Sequence, residues 1–253
     1  MSSGRVATLA TLATAAALGA WTGPALTAVG PVRRSLLPRL SGAGPTEHIA
    51  LTFDDGPDPR STPRVLDLLA RHERRATFFL VGEQVRSSAA IVHRMVAEGH
   101  EVALHGWSHR STALVAPGRL ADRLATARAE VEDVSGAPVT WYRPPYGVLT
   151  TDAIRACRTL RLTPVLWTAW GRDWVRHTTA ERIADTVLAT LRPGGTILLH
   201  DTDLHARGSW GPTLAATDLL LSGPLADLDV GPLAEHGMVP RARTRALGDR
   251  FTG

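Results

Sequence analysis

Two hydrophobic periods alternate along most of this chain, and that alternation limits the fold more than any other feature. Ile49 to Phe53 is a short apolar run, and Thr62 to His72 then carries Val65, Leu66, Leu68 and Leu69 at helical spacing. Ala76 to Val81 repeats the strand pattern, and Gln84 to Glu98 repeats the helical one through Ile91, Val92, Met95 and Val96. Further strands are predicted at Glu101–Leu104, Val139–Tyr142, Pro164–Thr168 and Thr196–Leu199. Helices are predicted at Pro117–Val134, Thr150–Leu160, Ala180–Leu191 and Gly211–Leu221, with a last strand or helix near Val230–Val239. Such a succession argues an α/β fold with a parallel sheet and right-handed crossovers, either open or rolled into a barrel. A (β/α) barrel is the better expectation, because the chemistry-bearing residues fall at the ends of many strands and must converge on one mouth.

At 253 residues and 44% hydrophobic content, the chain can bury one substantial core, which suits a single domain. All 28 basic residues are arginine, and the formal net charge is +4. No basic run is interleaved with aromatics, so no nucleic-acid partner is expected. The lone Cys157 excludes an internal disulfide, and its helical context reads as a small buried apolar residue.

The first forty residues are assigned to a leader and linker, with the catalytic domain at residues 41–253. After Arg5 no charge appears until Arg33, and Val6 to Gly30 is rich in Ala, Leu and Thr, as in a signal peptide or a membrane anchor. Export is the expectation, secreted or held at the outer face of the cytoplasmic membrane. Cleavage and anchoring both stay open.

Five polar signatures follow apolar runs. In Asp54-Asp55-Gly56-Pro57, two consecutive acids at a strand end diverge, so one can bind a metal while its neighbour reaches a water. His105 and His109 form an i, i+4 pair, for which a helical turn is the expected way to bring both imidazoles to one side. With a carboxylate from another strand they make a two-His, one-carboxylate site; zinc is the default ion, and cobalt, nickel or iron suits the same donors. Arg143-Pro144-Pro145-Tyr146-Gly147 sets a rigid loop beside a guanidinium able to hold a carboxylate ionised, with a backbone N–H for an oxyanion. Asp173-Trp174 follows Trp167 and Trp170, a sugar-stacking wall or simply core packing. His200 closes the set, after Leu198 and Leu199 and before Asp201.

In this order and spacing the five segments resemble the motifs of the polysaccharide deacetylases of the NodB-homology type, carbohydrate esterase family 4, over about His48 to Leu221. The resemblance implies a distorted (β/α) barrel of about seven parallel strands. It implies Asp55, His105 and His109 as ligands of one divalent metal, Asp54 as general base and Arg143 as its partner. The Tyr146 N–H would stabilise the oxyanion, and Asp173 would hold His200 protonated as general acid. Trp174, Leu198 and Pro144 would contact the substrate. Two departures stand out: Gly106 replaces the usual Ser or Thr, and Arg110 a frequent Pro.

The expected activity is removal of N-acetyl groups from a GlcNAc-containing polysaccharide of the cell envelope by a monomer. An O-acetyl xylan esterase and a carbohydrate-binding relative without turnover are the alternatives. A metal-free hydrolase of cyclic amides is disfavoured, because that chemistry has no use for His105 and His109.

Overall fold

The structure is a computed structural model and describes residues 27, 30–45, 47–204 and 207–240. Most of the expected leader lies outside the described residues. Among those described, no helix is long and apolar enough to cross a membrane.

Seven parallel strands form a curled half-barrel in the order β5-β4-β3-β2-β1-β7-β6. They are β1 (Ile49–Asp54), β2 (Thr77–Val81), β3 (Glu101–Gly106), β4 (Trp141–Tyr142), β5 (Thr163–Pro164), β6 (Ala169–Trp170) and β7 (Thr196–His200). A short β8 (Val230–Gly231) pairs with the start of β1. Every residue of β1 and β2 is buried, as expected of strands covered on both faces.

Helices cover the outside. They are α1 (Gly30–Leu36), α2 (Thr62–Arg71), α3 (Gly82–Val85), α4 (Ala89–Ala97), α5 (Leu120–Ser135), α6 (Thr151–Thr159), α7 (Ala180–Thr190) and α8 (Trp210–Ser222). Local chemistry fixes their ends. Pro63 opens α2, where its missing N–H costs nothing. The Thr150 and Thr179 hydroxyls cap α6 and α7 by accepting from the amides of Ala153 and Arg182. Gly136, at φ 66°, ends α5 in the left-handed conformation.

Strand parity separates two cores. Leu51, Phe53, Phe78, Leu80, Val102, Leu104, Ile197 and Leu199 face the helices, while Ala50, Phe79, Ala103, Trp141 and Val165 fill the barrel interior. The same parity carries the interior row upward to Thr52 and Asp54 on β1, His105 on β3, Arg143 just after β4, and Leu198 and His200 on β7. The polar signatures converge because they occupy inward positions at strand ends.

Several boundaries differ from expectation. The predicted strand 164–168 resolves into β5 and β6, joined by residues 165–168, which belong to neither strand. The predicted helix 84–98 is α3 and α4 joined by a 3-10 turn at Arg86–Ser88, where the Ser87 hydroxyl donates to the Gln84 carbonyl. Gly118, at φ 78°, delays α5 to Leu120. The last segment is β8 followed, after Pro232, by a 3-10 turn at Leu233–Glu235.

Residues ahead of the boundary expected at residue 41 also pack against the barrel. Arg33 in α1 is 1% exposed, and Leu40 packs against Leu166, Trp167 and Leu198. The sheet ends on β5 and β6, and residues 40–44 run beside that opening. The Leu40 carbonyl accepts from the Leu166 amide at 2.7 Å, and the Gly42 carbonyl from the Thr196 hydroxyl at 2.7 Å.

Candidate active site and metal centre

Asp54 ends β1 and Asp55 follows it, the two facing different partners, and the backbone explains why. Asp55 takes φ 76°, a left-handed conformation rare outside glycine, which turns its carboxylate away from that of Asp54. Asp55 Oδ1 lies 3.1 Å from His105 Nε2 and 3.2 Å from His109 Nε2. One donor atom from each of the three residues falls within a sphere where all are within 4.8 Å of one another.

The two histidines do not share a helical turn. His105 is on β3 and His109 in the irregular turn after it, and the chain reverses through Gly106 at φ 116°. An L side chain rarely adopts that angle, so the glycine found where a hydroxyl residue was expected gives this loop its bend. His105 Nδ1 donates to the Arg143 carbonyl at 2.8 Å, which fixes the tautomer that presents Nε2 to Asp55. Two imidazole nitrogens and a carboxylate oxygen, with Asp55 and His105 buried and His109 partly so, suit a divalent ion of zinc's class.

Asp54 faces a different partner. Arg143, completely buried, donates through Nη1 to Asp54 Oδ1 at 2.7 Å and to the Thr52 hydroxyl at 2.8 Å. Its Nη2 donates to the Leu166 carbonyl at 2.8 Å. Burial lowers the Arg143 pKa, and the Asp54 carboxylate opposes that shift. Asp54 Oδ2 lies 3.9 Å from His105 Nε2, close to the ligand cluster without joining it.

On the far wall, His200 Nδ1 meets Asp173 Oδ1 at 2.9 Å, and its backbone N–H donates to Asp173 Oδ2 at 2.8 Å. The Thr213 hydroxyl donates to the same Oδ2 at 3.0 Å. Burial is the largest influence on His200 and lowers its pKa, but the Asp173 charge and hydrogen bond, with Asp55 and Asp54 beyond, push it up to about 10. Its Nε2 points inward, 3.9 Å from Asp55 Oδ2.

These groups border one cavity of about 260 Å³, lined by Asp54, His105, His109, His200 and Leu198, with Tyr146 and Gly147 at one side and Trp167, Trp170 and Trp174 at the other. The indoles are linked ring to ring, Trp167 to Trp170 at 5.7 Å and Trp170 to Trp174 at 5.1 Å, and Trp174 reaches His200 at 5.4 Å. Tyr146, at φ 59°, is 56% exposed at the mouth, its ring edge-on to His109 at 4.5 Å. Pro144 is the exception among the expected contacts. It is buried outside the cavity lining, where its carbonyl accepts from the Gly147 amide.

Sequence reasoning missed Thr52, which accepts from Arg143 and donates to the Ile197 carbonyl at 2.6 Å. Its inward position two residues before Asp54 was the available signal. It also left Asp201 without a role. That carboxyl is wholly buried, accepts from the Thr62 hydroxyl at 2.5 Å and lies against Gly56, where a side chain would collide with it. Burial, aided by the charge of Asp55, pushes its pKa up to about 7.

The sequence model of polysaccharide deacetylases matches residues 41–165. The chitooligosaccharide deacetylase of Bradyrhizobium sp. (strain ANU 289) is 40% identical over 157 residues, which is 62% of this chain and 71% of that protein. This chain belongs to the polysaccharide deacetylase family. Among solved structures, the Bc1960 peptidoglycan N-acetylglucosamine deacetylase superposes with a TM-score of 0.71 at 29% identity, covering 78% of this chain and 91% of the other. A family 4 acetyl xylan esterase from Clostridium thermocellum, solved with a cobalt ion, gives 0.67 at 34% identity, over 75% and 89% of the two chains. The deacetylase fold and the half-barrel are therefore common to all three, and deacetylases of this family are metalloenzymes with polysaccharide substrates.

Proposed function

We propose that this polysaccharide deacetylase removes N-acetyl groups from a GlcNAc-containing glycan of the cell envelope, with zinc held by Asp55, His105 and His109, and that it acts outside the cytoplasm. The observation that carries this reading is the placement of Asp54 and His200 on opposite sides of the three-ligand cluster, each held by a buried partner of opposite charge.

A divalent ion in that cluster would lower the pKa of a coordinated water to about 7 and draw charge from the acetyl carbonyl. Asp54, gripped by Arg143 at 2.7 Å, accepts the proton of the attacking water. The Tyr146 N–H, on the rigid loop at the cavity edge, stabilises the oxyanion as the carbonyl carbon becomes tetrahedral. The amine cannot leave as an anion. His200, charged through Asp173, donates a proton to the departing nitrogen from its inward Nε2, and Leu198 and the indoles exclude water around the acetyl methyl.

Acetate release tests this on zinc-loaded protein, with chitooligosaccharides, peptidoglycan and acetylxylan in parallel. Release from the two amide substrates, abolished by EDTA, is expected. Release from acetylxylan alone would overturn the amide reading in favour of an esterase.

A further inference from the structure

Val165 to Trp167 leave β5 where the sheet ends, so their carbonyls lack strand partners and must be satisfied some other way. Two buried arginines do so. Arg143 donates to the carbonyls of Val165 at 3.4 Å and Leu166 at 2.8 Å, and Arg33 Nη2 takes the next one, Trp167, at 2.8 Å. The Arg33 guanidinium carbon also lies 5.0 Å from the Trp167 ring centroid, and Nη1 donates to the Thr27 carbonyl at 2.6 Å. The geometry points to Arg33 as a positioning residue of the active site, one that holds Trp167 in the cavity wall from a segment ahead of the expected catalytic domain.

Three observations support this. First, among the described residues Arg33, 1% exposed, forms no ion pair, and its Nε finds no hydrogen-bond partner there. Burial, then the charges of Arg34 and Arg143, lower its pKa to about 10. Second, Trp167 is wedged against the oxyanion loop: a Cβ on Gly147 would come 2.8 Å from the indole, so that ring sets the position of the segment next to Tyr146. Third, Trp167 begins the ring series through Trp170 and Trp174 to His200, so its placement bears on both the oxyanion side and the acid side of the cavity.

The inference rests on the deacetylase reading only for its activity assay. Full-length Arg33→Met and Arg33→Lys are compared with wild type by acetate release from an N-acetylated chitooligosaccharide, and by tryptophan-fluorescence titration of the EDTA-treated proteins with the same sugar. Arg33→Met should fold, raise KM and the sugar Kd at least fivefold, and leave zinc content unchanged, with Arg33→Lys between it and wild type. If Arg33→Met does not fold, Arg33→Lys decides by the same criteria. Wild-type KM and Kd in a folded variant would overturn the proposal. So would a loss of kcat that only follows the folded fraction, or failure of both variants to fold. Absence of release by the wild type would count against the deacetylase reading, and the titration would still decide the role of Arg33.

Discussion

His105 Nδ1 lies 2.8 Å from the carbonyl oxygen of Arg143, the residue whose guanidinium grips Asp54 at 2.7 Å. One residue thus orients a proposed metal ligand with its backbone and the proposed proton acceptor with its side chain. The spacing between cluster and base is built into the strand-end geometry of β3 and β4.

Removing the Arg143 side chain should therefore affect stability and rate together. Arg143→Met leaves Asp54 buried without its counter-charge, which costs about 3–5 kcal/mol. Urea denaturation should register that loss. Metal affinity should change less than activity, because the His105 contact is made by the backbone.

On the proposed reading, zinc binding depends on all three donors. Alanine at Asp55, His105 or His109 should lower zinc affinity by at least an order of magnitude in calorimetric titration. Gly106→Ser should weaken it less, through the strain of a side chain at φ 116°.

His200 acts, on this account, only when the leaving group needs a proton. His200→Ala should reduce acetate release from an N-acetyl sugar by about 10²–10⁴-fold. With 4-nitrophenyl acetate, whose phenolate departs unaided, the loss should be tenfold or less. Equal losses on both substrates would exclude the acid role.

The raised pKa of His200 also sets pH profiles. Folding lifts it from 6.5 to about 10, so its contribution to stability is complete below pH 6.5 and is lost as pH rises through about 10. Thermal melts of metal-free protein should fall over that window, and His200→Asn should flatten the fall. A divalent ion on Asp55 offsets one of the charges raising this pKa. The alkaline limb of kcat in the zinc enzyme should therefore lie between about 6.5 and 10, and Asp173→Asn should move it downward.

Much of this site was legible because it follows strand parity. Asp54, His105 and His200 sit at the ends of apolar runs whose alternation already fixes which side chains face the interior. The turn that brings His109 beside His105 was not legible, since a bend through a left-handed glycine leaves no period in the sequence. Pro144 lies outside the cavity lining for a related reason: a rigid loop predicts a fixed backbone but not which side chain meets the cavity. Arg33 was hidden by composition, since a basic residue after an apolar leader reads as a membrane flank. The gap between β5 and β6, a tertiary feature, gives it the Trp167 carbonyl to bind.

The central claim is that Asp55 holds the metal while its neighbour Asp54 moves the proton. Steady-state acetate release by Asp54→Asn, with zinc content measured on the same sample, tests it most directly. The account predicts about one zinc per chain and a turnover reduced by at least about 10²-fold. Near-normal turnover at full zinc occupancy would contradict it.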